Sequence, residues 1–240
     1  MHRLSGKVAL ITGGGTGIGR GVAEALAAEG ARVVVCGRRS ESLEQVIQAI
    51  RQAGNEALAV QADVSREEAV EHLVSSALQA FGRIDILVNN AGIDGGAPIQ
   101  DQELQEWEHV LGVNLRGPFL AARAVLPLMR AQGRGDIVNI SSESGLEHYP
   151  GDGVYGISKH ALNALSEYLQ RENQSSGVRV STVCPGMVVT EMTEHSSGLD
   201  HTKCLYPEDI ADLVVWLVTR RPNIKIGTPI LIQTMENPWE

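Results

Sequence analysis

A tyrosine and a lysine four residues apart, Tyr155 and Lys159, are the residues of this 240-residue chain whose types and spacing most directly suggest chemistry. On a helix, four residues make just over one turn, so the two side chains would share a face. A neighbouring ammonium would lower the pKa of a phenol from its ordinary value of about 10 by stabilising the phenolate. The pair could then exchange a proton with a substrate oxygen. The alternative is an ordinary helix face with a packed tyrosine.

Two adjacent serines, Ser141 and Ser142, lie shortly before Tyr155 in the stretch "ISSESG". A serine hydroxyl beside the phenol could donate a hydrogen bond to the alkoxide that develops during hydride transfer. Adjacent residues of a strand point to opposite faces of a sheet, so only one of the two should face a cleft. Glu143 and His148, between the serines and Tyr155, could line a substrate pocket.

A glycine-rich loop, "TGGGTGIGRG" from Thr12 to Gly21, follows the first apolar run of the chain. Glycine permits positive φ and close approach of the backbone, and a helix that begins there would attract phosphate to its N-terminus. The glycines fit neither G-x-G-x-x-G nor the P-loop G-x-x-x-x-G-K-[ST], since Arg20 follows Gly19. They fit T-G-x-x-x-G-x-G instead. The competing interpretation is a simple tight turn.

The elements that must position these groups are short apolar runs that alternate with helical periodicity. The runs are "KVALIT", "ARVVVC", "EALAVQ", "IDILVN", "DIVNIS", "VRVSTVC" and "GTPILIQ". Strands that are apolar throughout indicate a parallel sheet covered on both faces. We therefore predict a Rossmann-like, doubly wound α/β fold of about seven strands, as one domain over residues 1–240. In such folds, ligands bind at the carboxyl ends of the strands.

Composition argues against several other classes of protein. The net charge of −9 and the aromatic content of 4% argue against a nucleic-acid partner. The N-terminal apolar run is too short for a signal sequence or a membrane span. Three widely spaced cysteines indicate a reducing compartment, so we expect a cytoplasmic protein. His195, His201 and Cys204 match no standard zinc spacing, and no metal is expected.

Taken together and in this order, the motifs resemble those of the short-chain dehydrogenase/reductase family over nearly the whole chain. The resemblance assigns catalytic roles to Asn114, Ser142, Tyr155 and Lys159, since Ser142 lies thirteen residues before Tyr155, as in that family. It implies that Lys159 also holds the nicotinamide ribose and that Asn114 anchors a proton-relay water. Independently of the family, Asn114 could simply satisfy backbone groups where a helix is interrupted.

The resemblance also implies a bound nicotinamide dinucleotide. "NNAG", "DV" at 63–64 and "CPGMVVT" match segments that contact this cofactor in the family. With two arginines considered next, the predicted cofactor-binding residues are Gly13, Thr16, Gly17, Ile18, Gly19, Arg38, Arg39, Asp63, Val64, Asn90, Ala91, Gly92, Tyr155, Lys159, Pro185, Gly186, Val188 and Thr190.

The end of the second predicted strand favours NADP(H) over NAD(H). A carboxylate at this position would bind the ribose 2′-hydroxyl and repel a 2′-phosphate. This chain has Gly37 there, followed by Arg38 and Arg39, and a guanidinium can hold a phosphate through two charge-assisted hydrogen bonds. Two solvated arginines at a helix start are the alternative.

The sequence thus predicts an NADP(H)-dependent oxidoreductase that interconverts a small carbonyl compound and a secondary alcohol, with 3-oxoacyl-thioester reductases as the nearest analogy. A cofactor-binding regulator without turnover, and an isomerase or dehydratase on the same scaffold, are the alternatives. The resemblance implies a homo-oligomer, a tetramer or a dimer, paired through helical segments near 102–131 and 153–174. Apolar residues proposed for that interface are Leu120, Val125, Leu162 and Leu169.

Two segments bear on the substrate. Residues 190–206 are short and polar and correspond to the family's substrate lid. After the last predicted strand, many family members have Asp-Gly-Gly, whereas this chain continues Gln233-Thr234-Met235-Glu236. This departure concerns the subfamily and the contacts of the tail, and leaves the predicted hydride chemistry intact.

Overall fold

Seven parallel strands form one sheet in the computed structural model, which describes residues 2–194 and 196–240. The spatial order is β3-β2-β1-β4-β5-β6-β7. The strands are β1 (Val8–Thr12), β2 (Arg32–Gly37), β3 (Ala57–Gln61), β4 (Ile86–Asn89), β5 (Gly135–Ile140), β6 (Val178–Pro185) and β7 (Ile230–Ile232). The predicted Rossmann-like doubly wound sheet is confirmed.

Helices cover both faces of this sheet, which explains why the strands are apolar throughout. Along β1, Ala9 and Ile11 belong to one hydrophobic core, while Val8 and Leu10 belong to the other. Both cores exclude water, so each strand residue gains from burial whichever way it points. The helices are α1 (Gly17–Ala28), α2 (Ser40–Gln52), α3 (Glu67–Phe81), α4 (Leu104–Leu111), α5 (Gly117–Ala131), α6 (Gly153–Asn173) and α7 (Pro207–Val218).

The strand order reverses between β1 and β4, which are hydrogen-bonded neighbours although two strands separate them in the chain. The connections after these two strands leave the sheet in opposite directions. A crevice therefore opens beyond their carboxyl ends, the usual ligand position in folds of this kind. The glycine loop follows β1 and "NNAG" spans the end of β4, so both predicted motifs lie at this crevice.

A π-helical turn, Gly112–Arg116, joins α4 to α5. Such turns widen a helix locally and are frequent at functional sites. Here the turn places the Asn114 side chain in the interior, where it is fully buried.

The residues named for a subunit interface were the wrong ones. Leu120, Val125, Leu162 and Leu169 are all at most 8% exposed, because they lie on the inward sides of α5 and α6. The exposed apolar side chains of these segments are others: Leu104, Phe119, Ile157 and Tyr168. Helical periodicity located the helices correctly but did not tell which apolar stripe faces the sheet.

The segment after β7 packs on the predicted lid of its own chain. The Thr234 hydroxyl donates to the Lys203 carbonyl at 2.7 Å, and the Asp200 amide donates to the Pro238 carbonyl at 2.8 Å. These contacts give the atypical C-terminal residues a fixed position on the surface of the fold, against the predicted lid.

The described helices include none that is both long and apolar enough to cross a bilayer. Cys36, Cys184 and Cys204 are buried and free.

Candidate active site

The conformation of the glycine loop depends on Gly13, a position where any other residue would be strained. Gly13 has φ of +63°, and a Cβ there would lie 2.9 Å from Ala91 Cα and from Asn90 Nδ2. Gly17, at the start of α1, has φ of +50°. Side chains are therefore excluded where a dinucleotide phosphate would need close approach to backbone amides.

Hydrogen bonds fasten this loop to the "NNAG" segment. The backbone amides of Asn90 and Ala91 donate to the Thr12 hydroxyl, each at 3.0 Å. The Asn90 side-chain amide donates to the carbonyls of Thr12 and Gly13 at 3.1 Å. The ends of β1 and β4 are thus held in a fixed relation on either side of the switch point.

A cleft of about 500 Å³ runs from this loop to Tyr155 and Lys159. Its volume and its glycine-lined wall fit an extended dinucleotide. The predicted cofactor residues that line it are Gly13, Thr16, Gly17, Ile18, Arg38, Arg39, Asp63, Val64, Asn90, Ala91, Gly92, Tyr155, Lys159 and Thr190.

Four predicted cofactor residues lie off this surface. Gly19 is buried where α1 packs on the loop. A side chain at this position would collide with the Gly13 carbonyl. Pro185 ends β6, Gly186 donates its amide to the Ile232 carbonyl, and Val188 is buried beside Leu205. These four support the walls of the cleft.

The cleft also has lining residues that the sequence did not single out. Gly15 is part of the glycine triplet 13–15. Ser42 lies three residues after Arg39, and the two serines at the start of that helix, Ser40 and Ser42, were a signal for phosphate binding in the sequence. For the others the sequence carried no signal. The additional residues are Gly15, Ser42, Ala62, Ile93, Asp94, Val113, Ile140, Glu191 and Met192.

Tyr155 lines the inner end of the cleft, and the Ser142 hydroxyl is close enough to its phenol to favour the phenolate and oppose the rise in its pKa. Ser142 Oγ also accepts from the Ser144 amide at 3.1 Å, which fixes its orientation. Ser141 belongs to the lining of the cleft, but it is buried and its hydroxyl donates to the Lys159 carbonyl at 3.3 Å. Of the two serines, Ser142 is therefore the one placed against the phenol.

Lys159 lies on the same side of α6 as Tyr155, with its Nζ 5.5 Å from the centre of the phenol ring. Its ammonium donates to the Ile140 carbonyl at 3.1 Å. The residue is only 4% exposed, and burial lowers the pKa of its amine to about 8. The lysine is thus held in the interior at the floor of the cleft.

Asn114 completes the group and is fully hydrogen-bonded. Its Oδ1 accepts from the Ile93 amide at 2.9 Å, and its Nδ2 donates to the Ile93 carbonyl at 2.9 Å and to Ser158 Oγ at 3.0 Å. A Cβ placed on Gly92 would lie 3.5 Å from Lys159 Nζ and 3.6 Å from Asn114 Oδ1. Gly92 thus lets the lysine and the asparagine converge on one point.

The expected lowering of the Tyr155 pKa is not found in the protein without cofactor. Burial raises the pKa of this phenol to about 12, and the carboxylates of Asp94, Asp152 and Glu143 raise it further, against the hydrogen bond from Ser142. Burial disfavours the charged phenolate, and this cost outweighs the stabilisation that Ser142 provides. The sequence identified the pair but not the cost of burying it.

At the opposite end of the cleft, the two arginines have different partners. Arg39 forms an ion pair with Glu191 of the lid segment, at 2.6 Å. Arg38 lies close to Asp63. Burial raises the pKa of the Asp63 carboxyl, but hydrogen bonds from Ser65 and the charge of Arg38 lower that pKa by more, so it ends below its ordinary value. Both guanidinium groups face the cleft where β2 ends.

Carboxylates surround the substrate side of Tyr155. Asp94 lines the cleft, and Glu143 follows Ser142 directly. Glu143 accepts a hydrogen bond from Gln233 of the C-terminal segment at 2.5 Å. Burial, and then Glu143, Glu147 and Asp152, raise the pKa of the neighbouring Tyr149. The mouth of the site therefore carries concentrated negative charge.

Metal ligands do not gather anywhere in residues 2–194 and 196–240: no three histidine, cysteine or acidic side chains there are grouped so as to hold an ion. His195, considered with His201 and Cys204, lies outside the described residues.

The fold agrees with comparisons to known proteins. The family model for short chain dehydrogenase matches residues 7–198. The chain belongs to this family and is an oxidoreductase of the short-chain type.

Individual relatives cover nearly its full length. An uncharacterised oxidoreductase of Staphylococcus aureus strain USA300 is 36% identical over 227 residues, which are 95% of this chain and 97% of the relative. A metagenomic short-chain oxidoreductase solved in complex with NADP is 36% identical, with a TM-score of 0.86 over 98% of this chain and 100% of that one. Levodione reductase is 32% identical, with a TM-score of 0.90 over 96% and 97%.

Proposed function

We propose that this protein is an NADP(H)-dependent oxidoreductase that interconverts a small carbonyl compound and the corresponding secondary alcohol. The observation that carries the proposal is the pair of Tyr155 and Lys159 at the inner end of a glycine-walled cleft, with the Ser142 hydroxyl acting on the phenol. A proton donor, a hydrogen-bond donor and a buried amine there are the groups that carbonyl reduction needs beside a hydride source.

Each side chain has a separate task in this reaction. When bound, the nicotinamide cofactor supplies or accepts the hydride. In the reductive direction, the Tyr155 hydroxyl donates its proton to the carbonyl oxygen, and Ser142 hydrogen-bonds the same oxygen as negative charge develops there. Lys159 provides a positive charge beside the phenol. Asn114 hydrogen-bonds both the backbone of Ile93 and Ser158 of the helix that carries Tyr155, and so holds these two segments together. In alcohol oxidation the proton moves in the opposite direction.

The preference for NADP(H) rests on Arg38. This guanidinium lies at the end of β2 with Gly37 in the place of a ribose-binding carboxylate, and the relative solved with NADP is consistent with that cofactor. Arg38→Ala should weaken NADP(H) binding by about 1.5–3 kcal/mol, the range for a charged hydrogen bond, and leave NAD(H) binding nearly unchanged. Fluorescence titration with both cofactors measures this, and equal losses would assign Arg38 no phosphate contact.

The charge at the mouth of the site limits the class of substrate. Asp94, Glu143, Glu147 and Asp152 would repel a carboxylate, a phosphate or an acidic carrier protein. The substrate is therefore a neutral or cationic carbonyl compound, and the analogy to reductases of carrier-bound 3-oxoacyl thioesters is weakened. One of the similar structures is, by its name, a reductase of levodione.

The assembly we propose is a homo-oligomer, a tetramer or a dimer. The exposed groove of Trp107, Leu111, Leu115, Phe119 and Leu165 offers apolar surface for contacts between copies of the helices α4–α6. Light scattering at micromolar concentration should give a multiple of 25.7 kDa. A monomer mass would contradict this.

Turnover is tested with a panel of small ketones, aldehydes and secondary alcohols, followed by NADPH absorbance. The wild-type protein should consume NADPH with at least one neutral ketone, and Tyr155→Phe should reduce kcat by about 10²–10⁴ while cofactor binding persists. If the variant keeps most of its activity, Tyr155 is not the proton donor. Cofactor binding without any turnover would favour a non-catalytic role.

A further inference from the structure

An ion pair closes over the cofactor cleft between two segments that are far apart in sequence. Arg39, after β2, and Glu191, after Thr190, are separated by 152 positions, and their side chains approach to 2.6 Å. Both residues line the same cleft as the glycine loop. The contact thus bridges the adenosine end of the cleft and the start of the lid.

In this ion pair, Glu191 binds the Arg39 guanidinium, which the 2′-phosphate of the cofactor could also bind. Arg39 stands next to Arg38 at the end of β2, where a 2′-phosphate would be received. The Arg39 guanidinium is paired with the Glu191 carboxylate, which resembles a phosphate in its negative charge and in its two acceptor oxygens.

The pair is weak enough to be exchanged. Its side chains are 65% and 55% exposed, so solvent screens their attraction, and such contacts contribute about 0.2–1 kcal/mol. A phosphate dianion carries more charge than the carboxylate and can accept from Arg38 as well. NAD(H), which has a hydroxyl at this position, offers no anion to compete for Arg39.

We propose that Glu191 is a cofactor-specificity residue: its carboxylate occupies Arg39 in the free protein and is displaced by the 2′-phosphate of NADP(H), so that the contact opens for NADP(H) and stays closed with NAD(H). The proposal rests on the NADP(H) preference proposed above. Glu191 then lowers the affinity for NADP(H) through competition and repulsion, and couples occupancy of the phosphate site to the position of the lid.

Equilibrium binding tests this without requiring turnover. The affinities of NADP⁺ and NAD⁺ are measured by calorimetry for the wild type, Glu191→Gln and the control Glu194→Gln, which removes a nearby exposed carboxylate of the same segment. Glu191→Gln should bind NADP⁺ about threefold to tenfold more tightly, since loss of the competing pair alone accounts for up to about fivefold. NAD⁺ affinity should change by less than about twofold, and the control should leave both affinities unchanged.

The same substitution is then made in an Arg39→Ala background. If Glu191 acts by occupying Arg39, the gain in NADP⁺ affinity should disappear there, as a double-mutant cycle detects directly. Equal tightening for both cofactors, weaker NADP⁺ binding in Glu191→Gln, or an undiminished gain without Arg39 would each overturn the proposal. A wild type that binds NAD⁺ more tightly than NADP⁺ would instead refute the proposed cofactor preference, and the two failures are therefore distinct.

Discussion

The ionisation of Tyr155 provides a quantitative test of how this site works. In the protein without cofactor, the pKa of the phenol is raised to about 12 and that of the Lys159 amine is lowered to about 8. Four pKa units separate the two groups, so moving the proton from the phenol to the amine costs about 5 kcal/mol. Between pH 8 and 10, both side chains are therefore predominantly neutral.

Binding of the oxidised cofactor should change this, because it brings a positive nicotinamide ring to the cleft. One positive charge about 6 Å from the phenolate oxygen, at an effective dielectric constant of about 20, stabilises the phenolate by about 2.8 kcal/mol, or about two pKa units. We expect the pKa of Tyr155 to fall from about 12 to about 10 with NADP⁺ and to stay near 12 with NADPH, whose ring is neutral.

Ultraviolet difference titration of wild type against Tyr155→Phe isolates this phenolate, with circular dichroism to verify folding at each pH. The three states to compare are the free protein, the NADP⁺ complex and the NADPH complex. A phenolate that forms below pH 10 in the free protein would refute the argument from burial. Equal shifts with oxidised and reduced cofactor would refute the argument from charge.

Three further substitutions follow from the structure. Lys159→Met should stabilise the protein at pH 7. The pKa of this amine in the folded protein lies below its ordinary 10.5, so the cost of burying its charge is absent above pH 10.5 and fully present below about pH 8. That cost is about 3 kcal/mol, and losing the bond to Ile140 offsets about 1 kcal/mol of it. Glu143→Gln should lower the ratio of kcat/KM for an amine-bearing ketone to that for a carboxylate-bearing ketone by at least about fivefold. Gly13→Ala should cost about 1–2 kcal/mol of unfolding free energy for its φ of +63° and should also weaken cofactor binding, because its Cβ would meet Ala91.

Each of these substitutions has a control. Measured by thermal unfolding, the stability advantage of Lys159→Met should shrink above pH 8 and become a deficit of about 1 kcal/mol above pH 10.5, where only the lost bond to Ile140 remains. A variant that is less stable at every pH would contradict the assignment. Glu147→Gln removes a carboxylate farther from Ser142 and should change the substrate ratio less than Glu143→Gln does. Gly133→Ala has nearly the same φ, +64°, with open space around its Cβ, so it should share the strain but leave cofactor binding intact.

The sequence was sufficient for the fold because the pattern that defines it is local. Apolar runs and helical segments follow one another at short range, and the strands and helices appear where this alternation places them. The cofactor loop was also predictable, since Gly13 and Gly17 adopt backbone conformations that favour glycine wherever they occur. The choice of Ser142 as the partner of Tyr155 came from the resemblance to the family, in which the serine lies thirteen residues before the tyrosine.

The features of the site that could not be predicted depend on contacts between segments that are distant in sequence. The ion pair of Arg39 with Glu191 and the hydrogen bond of Gln233 to Glu143 join positions 152 and 90 residues apart, and no local pattern marks them. The raised pKa of Tyr155 likewise results from burial by several elements together. Inward and outward apolar residues of α5 and α6 could not be separated either, because both stripes are apolar.

The strand order has a consequence for how the protein is made. Strands β1 to β3 form one half of the sheet, and β4 to β7 then add outward one after another, so spatial order follows the order of emergence from the ribosome. The dinucleotide loop can therefore take shape while most of the chain is still unsynthesised. The wall beside Glu143 is different, because it requires Gln233. A nascent chain would acquire its cofactor platform early and its substrate chamber only after residue 233 has been translated, and a peptide inserted after β7 would be placed beside that chamber.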